Sequence, residues 1–156
     1  MCAGRPALGQ TPDELYTDRA NPISARSAAE LWAAELARDP GAFDAAWKLA
    51  RADYWLGTHD AEATRRQRLE DGMAAGRKAV ALQPNRPEGH FWIAANMGAL
   101  AESFGLRQGL KYRGAIRNEL ETVLRLDPGF QSGSADRALG RWYFKVPGLF
   151  GGSNKR

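Results

Sequence analysis

Three stretches of the sequence decide the fold, and each of them ends in a proline: LARDP at residues 36–40, VALQP at 80–84 and LRLDP at 124–128. A proline just past the end of a helix stops it, because its ring lacks the N–H group and clashes with the preceding turn. Pro40, Pro84 and Pro128 follow one another at intervals of 44 residues. A fixed period of this length is typical of repeat proteins built from helix pairs.

The segments on both sides of these prolines show helical periodicity. In the stretch before Pro128, the residues Ile116, Leu120 and Val123 fall on one face of a helix with about 3.6 residues per turn. A second apolar helix follows each proline, over 43–56, 88–100 and 135–145. In the last of these, residues 139–143 (LGRWY) fit the L-G-x-x-Y core of the tetratricopeptide pattern.

The sequence therefore predicts an all-α fold, a tetratricopeptide-like α-solenoid of antiparallel helix hairpins in which each hairpin covers the apolar face of the next. We expect a flexible N-terminal segment over 1–11 and the helical repeat domain over 12–156. The last repeat is incomplete, so the chain looks truncated at its C-terminus. Gly72 and Gly76 would let a neighbouring helix approach closely. The alternative is an unrelated helical bundle whose prolines recur by coincidence.

Each unit is longer than the tetratricopeptide standard of about 34 residues. The additional residues fall in 58–68 and 102–114, where they lengthen the connections or the second helices. The stretch 104–114 (FGLRQGLKYRG) mixes apolar and basic residues among three glycines. We interpret it as a structural loop folded over its own hairpin. A segment on a membrane surface or over a ligand channel is the alternative.

Composition favours binding over catalysis. The net charge is +4, but carboxylates such as Glu119 and Glu121 lie among the basic clusters, which favours solvated helix faces over a nucleic-acid interface. The sequence contains no zinc-protease, nucleophile-elbow or phosphate-loop motif, and two histidines are too few for a histidine-rich metal site. His90 is interpreted as a packed residue and not as a general base. We expect a protein that is not an enzyme, with no cofactor, no metal and no nucleic-acid partner.

Aromatic and basic residues mark the candidate binding face. The first helices of the hairpins line the concave side of such a solenoid, and aromatic rings beside Arg and Lys suit a carboxylate-bearing ligand or a partner's chain. The alternative places the aromatic residues in the core between hairpins. The candidate residues are Trp47, Lys48, Arg51, Tyr54, Trp55, Phe91, Trp92, Arg137 and Arg141.

Three strings of the sequence resemble the T component of TRAP-type transport systems (TatT): 47–57 (WKLARADYWLG), 89–98 (GHFWIAANMG) and 139–148 (LGRWYFKVPG). The similarity extends from about residue 15 to residue 156, and the turn at 147–152 (PGLFGG) is its most distinctive mark. The resemblance implies a periplasmic lipoprotein that docks a solute-binding protein and so assists solute uptake. It also implies that Cys2 is the lipidated residue; an ordinary cysteine near the terminus is the other interpretation.

The partners implied by the resemblance are a solute-binding protein and a small anionic ligand, with a homo-oligomer left open. Contact with the membrane would be through the lipid anchor only, because no apolar run approaches the roughly 18 residues of a membrane span. The alternative hypothesis is a generic tetratricopeptide scaffold that holds protein partners together in the cytoplasm.

Overall fold

The computed structural model describes residues 9–145, and within that range the chain is helical without any strand. Short 3-10 turns at Glu62–Thr64 and Phe130–Ser132 lie in two of the connections. This confirms the prediction of an all-α, repeat-like fold. The seven helices of this range are α1 (Pro12–Thr17), α2 (Pro22–Arg38), α3 (Phe43–His59), α4 (Arg65–Leu82), α5 (Pro87–Phe104), α6 (Leu106–Leu126) and α7 (Ser134–Lys145).

Neighbouring helices pack in the order in which they occur in the sequence. α3 packs against α2 and α4, and α5 packs against α4 and α6. α3 also contacts α5, so the first helices of these consecutive hairpins adjoin each other. α7 rests on α6. The predicted incomplete last repeat concerns residues 146–156, which lie outside the described residues, as do residues 1–8.

The recurring prolines end the helices as the sequence predicts. The residues that follow α2, α4 and α6 are Asp39, Gln83 and Asp127, and each directly precedes a proline. All three leave the helical region, with ψ between 81° and 96°, because the ring of a following proline disfavours helical backbone. Each still donates its N–H to the carbonyl four residues earlier at 2.8–2.9 Å. Each of the three helices thus keeps its last hydrogen bond, although the backbone of the residue that donates it is no longer helical.

Glycines bring α4 close to α5, as the small residues in the sequence predict. A Cβ atom on Gly76 would lie 2.7 Å from Cγ1 of Ile93, and one on Gly72 would collide with the side chain of Asn96. Asn96 is fully buried, and its Nδ2 donates to the carbonyl of Ala50 in α3 at 3.1 Å. α3, α4 and α5 therefore form one tightly packed layer.

The buried side chains form a larger cluster around α4 to α7 and a smaller one at the N-terminal end. In the smaller cluster Trp32 lies against residues of α1 and α3. In the larger cluster Leu139 and Trp142 attach α7 to Leu120 of α6. Burial of a Leu side chain contributes roughly 1.5–3 kcal/mol, so these contacts hold α7 in place.

The stretch 104–114 is helical, and its interpretation as a loop is wrong. Gly105 alone separates α5 from α6. Its φ of 84° lies in the left-handed region, which glycine enters at no steric cost, so the chain reverses its direction within a single residue. The additional residues at 102–114 therefore lengthen the helices, and the first half of α6 stands beside α5, whereas those at 58–68 are divided between the ends of α3 and α4 and the connection that joins them.

Candidate binding groove

An open groove of about 910 Å³ lies between α5, α6 and α7. α7 forms one wall, α5 and the end of α3 form the other, and α6 forms the floor. Apolar side chains such as Ile116, Leu120 and Trp142 line it and are themselves buried. Its volume lies near the upper end of the range of roughly 300–1,000 Å³ that ligand pockets occupy.

The wall formed by α3 and α5 is aromatic. Tyr54 and Phe91 are partly buried there, and Phe91 packs against Phe130 with ring centroids 5.4 Å apart. Burial raises the pKa of the Tyr54 hydroxyl; the nearby Glu102 carboxylate raises it further and the Arg141 guanidinium lowers it. A hydroxyl, a carboxylate and a guanidinium therefore lie in one region of the groove.

The α7 wall is basic. Arg137, Arg141 and Lys145 follow one another every four residues, so they lie on one face of the helix, and all three line the groove. Arg137 donates to the hydroxyl of Ser134 at 2.9 Å, and Lys145 pairs with Glu102 of α5 at 2.7 Å. Arg141 makes no ion pair with any residue between 9 and 145. Arg141 is exposed among the described residues.

Basic groups outnumber acidic ones around the groove. Arg65 and Arg113 line it in addition to the three cations of α7, whereas Glu102 is the only carboxylate among the described lining residues. Arg65 is anchored by a hydrogen bond from its Nε to the carbonyl of Gly57 at 3.1 Å. Because Glu102 already pairs with Lys145, the groove as a whole attracts anionic groups.

The structure brings part of the predicted binding face together in this groove and leaves Trp92 out of it. Trp92 is only 8% exposed and packs against Ala50 in the core. It directly follows a groove residue in the sequence, but one residue corresponds to about 100° of rotation around a helix, which is enough to turn its ring inward. The predicted residues that line the groove are Tyr54, Phe91, Arg137 and Arg141.

None of the predicted residues in the first half of α3 lines the groove; Trp47 donates to Asp44 of α3 itself, whereas Lys48 and Arg51 contact α1. Lys48 pairs with Asp13 of α1 at 2.8 Å. The Arg51 guanidinium lies 4.0 Å from the centre of the Tyr16 ring and 5.0 Å from that of Trp47, and burial lowers its pKa. This part of the face is therefore occupied by the chain itself.

Trp55 also faces the N-terminal end of the molecule. Its indole N–H donates to the carbonyl of Arg19 at 3.0 Å, and its ring stacks on that of His59 with centroids 3.6 Å apart. The sequence carries no signal for the contacts of Lys48 with Asp13 and of Trp55 with Arg19, because each joins residues about 35 positions apart.

The candidate binding face did not include Glu102, Arg65 and Arg113, because they fall in the stretches 58–68 and 102–114, which were interpreted as additions to the connections or the second helices. A signal for Arg113 is present in the sequence. Leu106, Leu110 and Arg113 follow helical spacing, which continues the amphipathic pattern of the rest of α6.

The described residues were predicted to hold no metal site and no histidine base. Between residues 9 and 145 there is no group of three or more His, Cys, Asp and Glu side chains that could bind a metal ion. His90 does not line the groove; its Nδ1 faces Oε2 of Glu119 at 2.5 Å and its Nε2 faces the carbonyl of Pro84 at 2.9 Å. His90 is therefore a packed residue. None of the helices in this range combines the length and the apolar character that a membrane span requires.

The sequence profile of one family, described as regulator of microtubule dynamics protein 1-3, matches residues 10–150. The match includes every helix of the repeat domain and all residues of the groove. The chain belongs to this family. No curated protein matched the sequence.

Membership of the microtubule-dynamics regulator family corrects the resemblance inferred from the sequence. The chain is not a TatT protein, and a role as accessory component of a TRAP-type uptake system is wrong. The periplasmic location and the classification as a lipoprotein depended on that resemblance and are wrong with it. The lipidation predicted at Cys2 stays a prediction. Cys2 itself lies outside the described residues. The match also gives no specific support to a generic tetratricopeptide scaffold.

Proposed function

We propose that the chain is a non-enzymatic binding protein that regulates microtubule dynamics by taking an acidic, partly apolar segment of a protein partner into the groove between α5, α6 and α7. Its family, whose members regulate microtubule dynamics by name, supports the proposed process. The chemistry of the partner comes from the groove, which combines an aromatic wall with a row of cations.

The observation that carries the proposal is the exposed Arg141 facing the same region as the Tyr54 hydroxyl. A guanidinium without an ion pair inside the described chain binds a carboxylate in a charge-assisted, bidentate manner. The aromatic ring of Phe91, on the opposite wall of the groove, offers apolar contact. Aromatic and Arg side chains together are the residues that contribute most at protein interfaces.

The test compares tubulin assembly in the presence of three forms of the protein, followed by turbidity. The first is the wild type, and the second is the double variant Arg137→Ala/Arg141→Ala. The control is Arg77→Ala/Arg125→Ala, which removes two exposed arginines that lie outside the groove. The control matches the net charge of the double variant, so a nonspecific effect of charge would appear in both.

The wild type and the control are expected to change the rate of assembly to the same extent, and the double variant to have a much smaller effect. A hydrogen bond to a charged group contributes about 1.5–3 kcal/mol, so losing one such bond weakens binding at least about tenfold. If the double variant acts on assembly as strongly as the control does, the groove is not the working surface. If no form changes assembly, the proposed function is wrong.

A further inference from the structure

The cations of the α7 wall have a regular spacing. Arg137, Arg141 and Lys145 are each four residues apart, which corresponds to about 6 Å along the axis of the helix. From the first to the last, the row extends over about 12 Å, or two turns. A partner that used all three would present carboxylates at the same interval.

A contact between a carboxylate and a cationic helix face already occurs within the chain, where α1 lies against α3, the first of the hairpins' first helices. α1 is a short helix whose Asp13 carboxylate pairs with Lys48 of α3 at 2.8 Å and lies 3.9 Å from Arg51. One turn further along α1, Tyr16 places its ring under the Arg51 guanidinium at 4.0 Å and against Trp32 at 5.7 Å. An acidic and aromatic helical turn thus covers the cationic and aromatic surface of α3.

The groove beyond α5 presents the same combination of groups without a helix of the described chain above it. Cations stand on the α7 wall, and the rings of Tyr54 and Phe91 stand on the opposite wall. Its volume of about 910 Å³ is close to that of two turns of an α-helix, which is roughly 10 Å across and 10 Å long.

We infer that the segment bound in the groove is an amphipathic α-helix of about two to three turns, with carboxylates every fourth residue along one side and apolar residues along the other. The acidic side lies against α7, and the apolar side lies against Tyr54, Phe91 and the floor of α6. Lys145 exchanges its partner on binding, from Glu102 to a carboxylate of the incoming helix. The inference depends on the proposed function, and it specifies the form of the partner.

Three synthetic peptides of about twelve residues test it. The first has Glu at every fourth position and Leu on the opposite face, with Ala and Gln elsewhere. The second has the same composition, but its glutamates are distributed around the helix. The third is the first peptide with a central proline, which breaks the helix. Fluorescence anisotropy with labelled peptides gives the dissociation constants for the wild type and for Arg137→Ala/Arg141→Ala.

The first peptide is expected to bind the wild type at least about tenfold more tightly than the other two, and to lose that advantage with the double variant. A charge reversal checks the register. Arg141→Glu should weaken binding of the first peptide. Replacing the central Glu of this peptide by Lys should restore its binding to Arg141→Glu and weaken its binding to the wild type.

The outcomes separate this inference from the proposed function. Equal binding of all three peptides to the wild type, lost in the double variant, would overturn the amphipathic helix and leave the acidic segment standing. Binding of the first peptide that is unchanged by Arg137→Ala/Arg141→Ala would overturn both, because the peptide would then bind outside the groove. Failure of all three peptides to bind the wild type would also overturn both.

Discussion

The carboxyl group of Asp53 is buried between α3 and α4. Its side chain is 4% exposed and has one ion-pair partner in the described chain, Nη1 of Arg68 at 3.3 Å. Burial raises the pKa of the carboxyl group from 3.8 to about 7; Arg68 opposes this shift, and the neighbouring Asp71 carboxylate adds to it. Near neutral pH, Asp53 is therefore close to its midpoint, whereas in the unfolded chain it is fully ionised.

The sign of the effect on stability follows from this difference. The folded state holds the proton of Asp53 more tightly than the unfolded state does, so the contribution of Asp53 to the free energy of unfolding is largest below about pH 4 and decreases as the pH rises to about 7. At about 1.36 kcal/mol per pKa unit, the difference between 3.8 and about 7 corresponds to a loss of at most about 4 kcal/mol.

Chemical denaturation between pH 4 and pH 8 measures this loss when the wild type is compared with Asp53→Asn, which has a similar shape and no charge. The free energy of unfolding of the wild type, relative to that of the variant, should fall by up to about 4 kcal/mol across this interval. Glu30→Gln, which removes one exposed carboxylate, is the control for the change in net charge. A difference between wild type and Asp53→Asn that stays constant or grows with pH refutes the assignment of a raised pKa to Asp53.

Two further predictions concern the packing of the helices, and both are measured by urea denaturation. Gly76→Ala should lower the free energy of unfolding by about 1–2 kcal/mol, because the added Cβ would lie 2.7 Å from Ile93 and overpacking costs more than the helix gains from alanine. The control Gly140→Ala meets no atom within 4 Å among the described residues and should be neutral or stabilising. Equal effects of the two variants would contradict the close approach of α4 and α5. Leu139→Ala should lower the free energy of unfolding by about 2–5 kcal/mol, whereas Leu31→Ala, at a site 43% exposed, should lower it by less than about 1 kcal/mol. If Leu31→Ala is the more destabilising of the two, Leu139 does not attach α7 to α6 as described.

The fold could be predicted from the sequence because its signals are local. A proline that follows a helix and apolar residues spaced by about 3.6 positions act within one or two turns, and they place α2 to α5, the second half of α6 and α7 nearly where the structure has them. The error at 104–114 has a local cause as well. Three glycines suggested a loop, but two of them, Gly109 and Gly114, lie within α6, where tertiary contacts outweigh a propensity cost of about 1 kcal/mol each.

The candidate site could be predicted only in part, because its geometry depends on contacts between distant segments. Helical spacing correctly places Tyr54, Phe91 and the arginines of α7 on the first helices of the hairpins. It could not predict that α1 covers Lys48 and Arg51, or that the chain reverses at Gly105 so sharply that α6 forms the floor of a groove. The family could not be read from short repeat strings, because patterns such as LGRWY report the packing of helix pairs and not the function of the protein.

A competition measurement shows whether the protein acts on microtubules through the groove between α5, α6 and α7. The acidic helical peptide described above is titrated into a tubulin assembly reaction that contains the wild-type protein, and the rate of assembly is followed by turbidity. We predict that the effect of the protein on assembly disappears as the peptide saturates the groove, with a midpoint that follows the dissociation constant of the peptide. The account is contradicted if the full effect of the protein persists at saturating peptide.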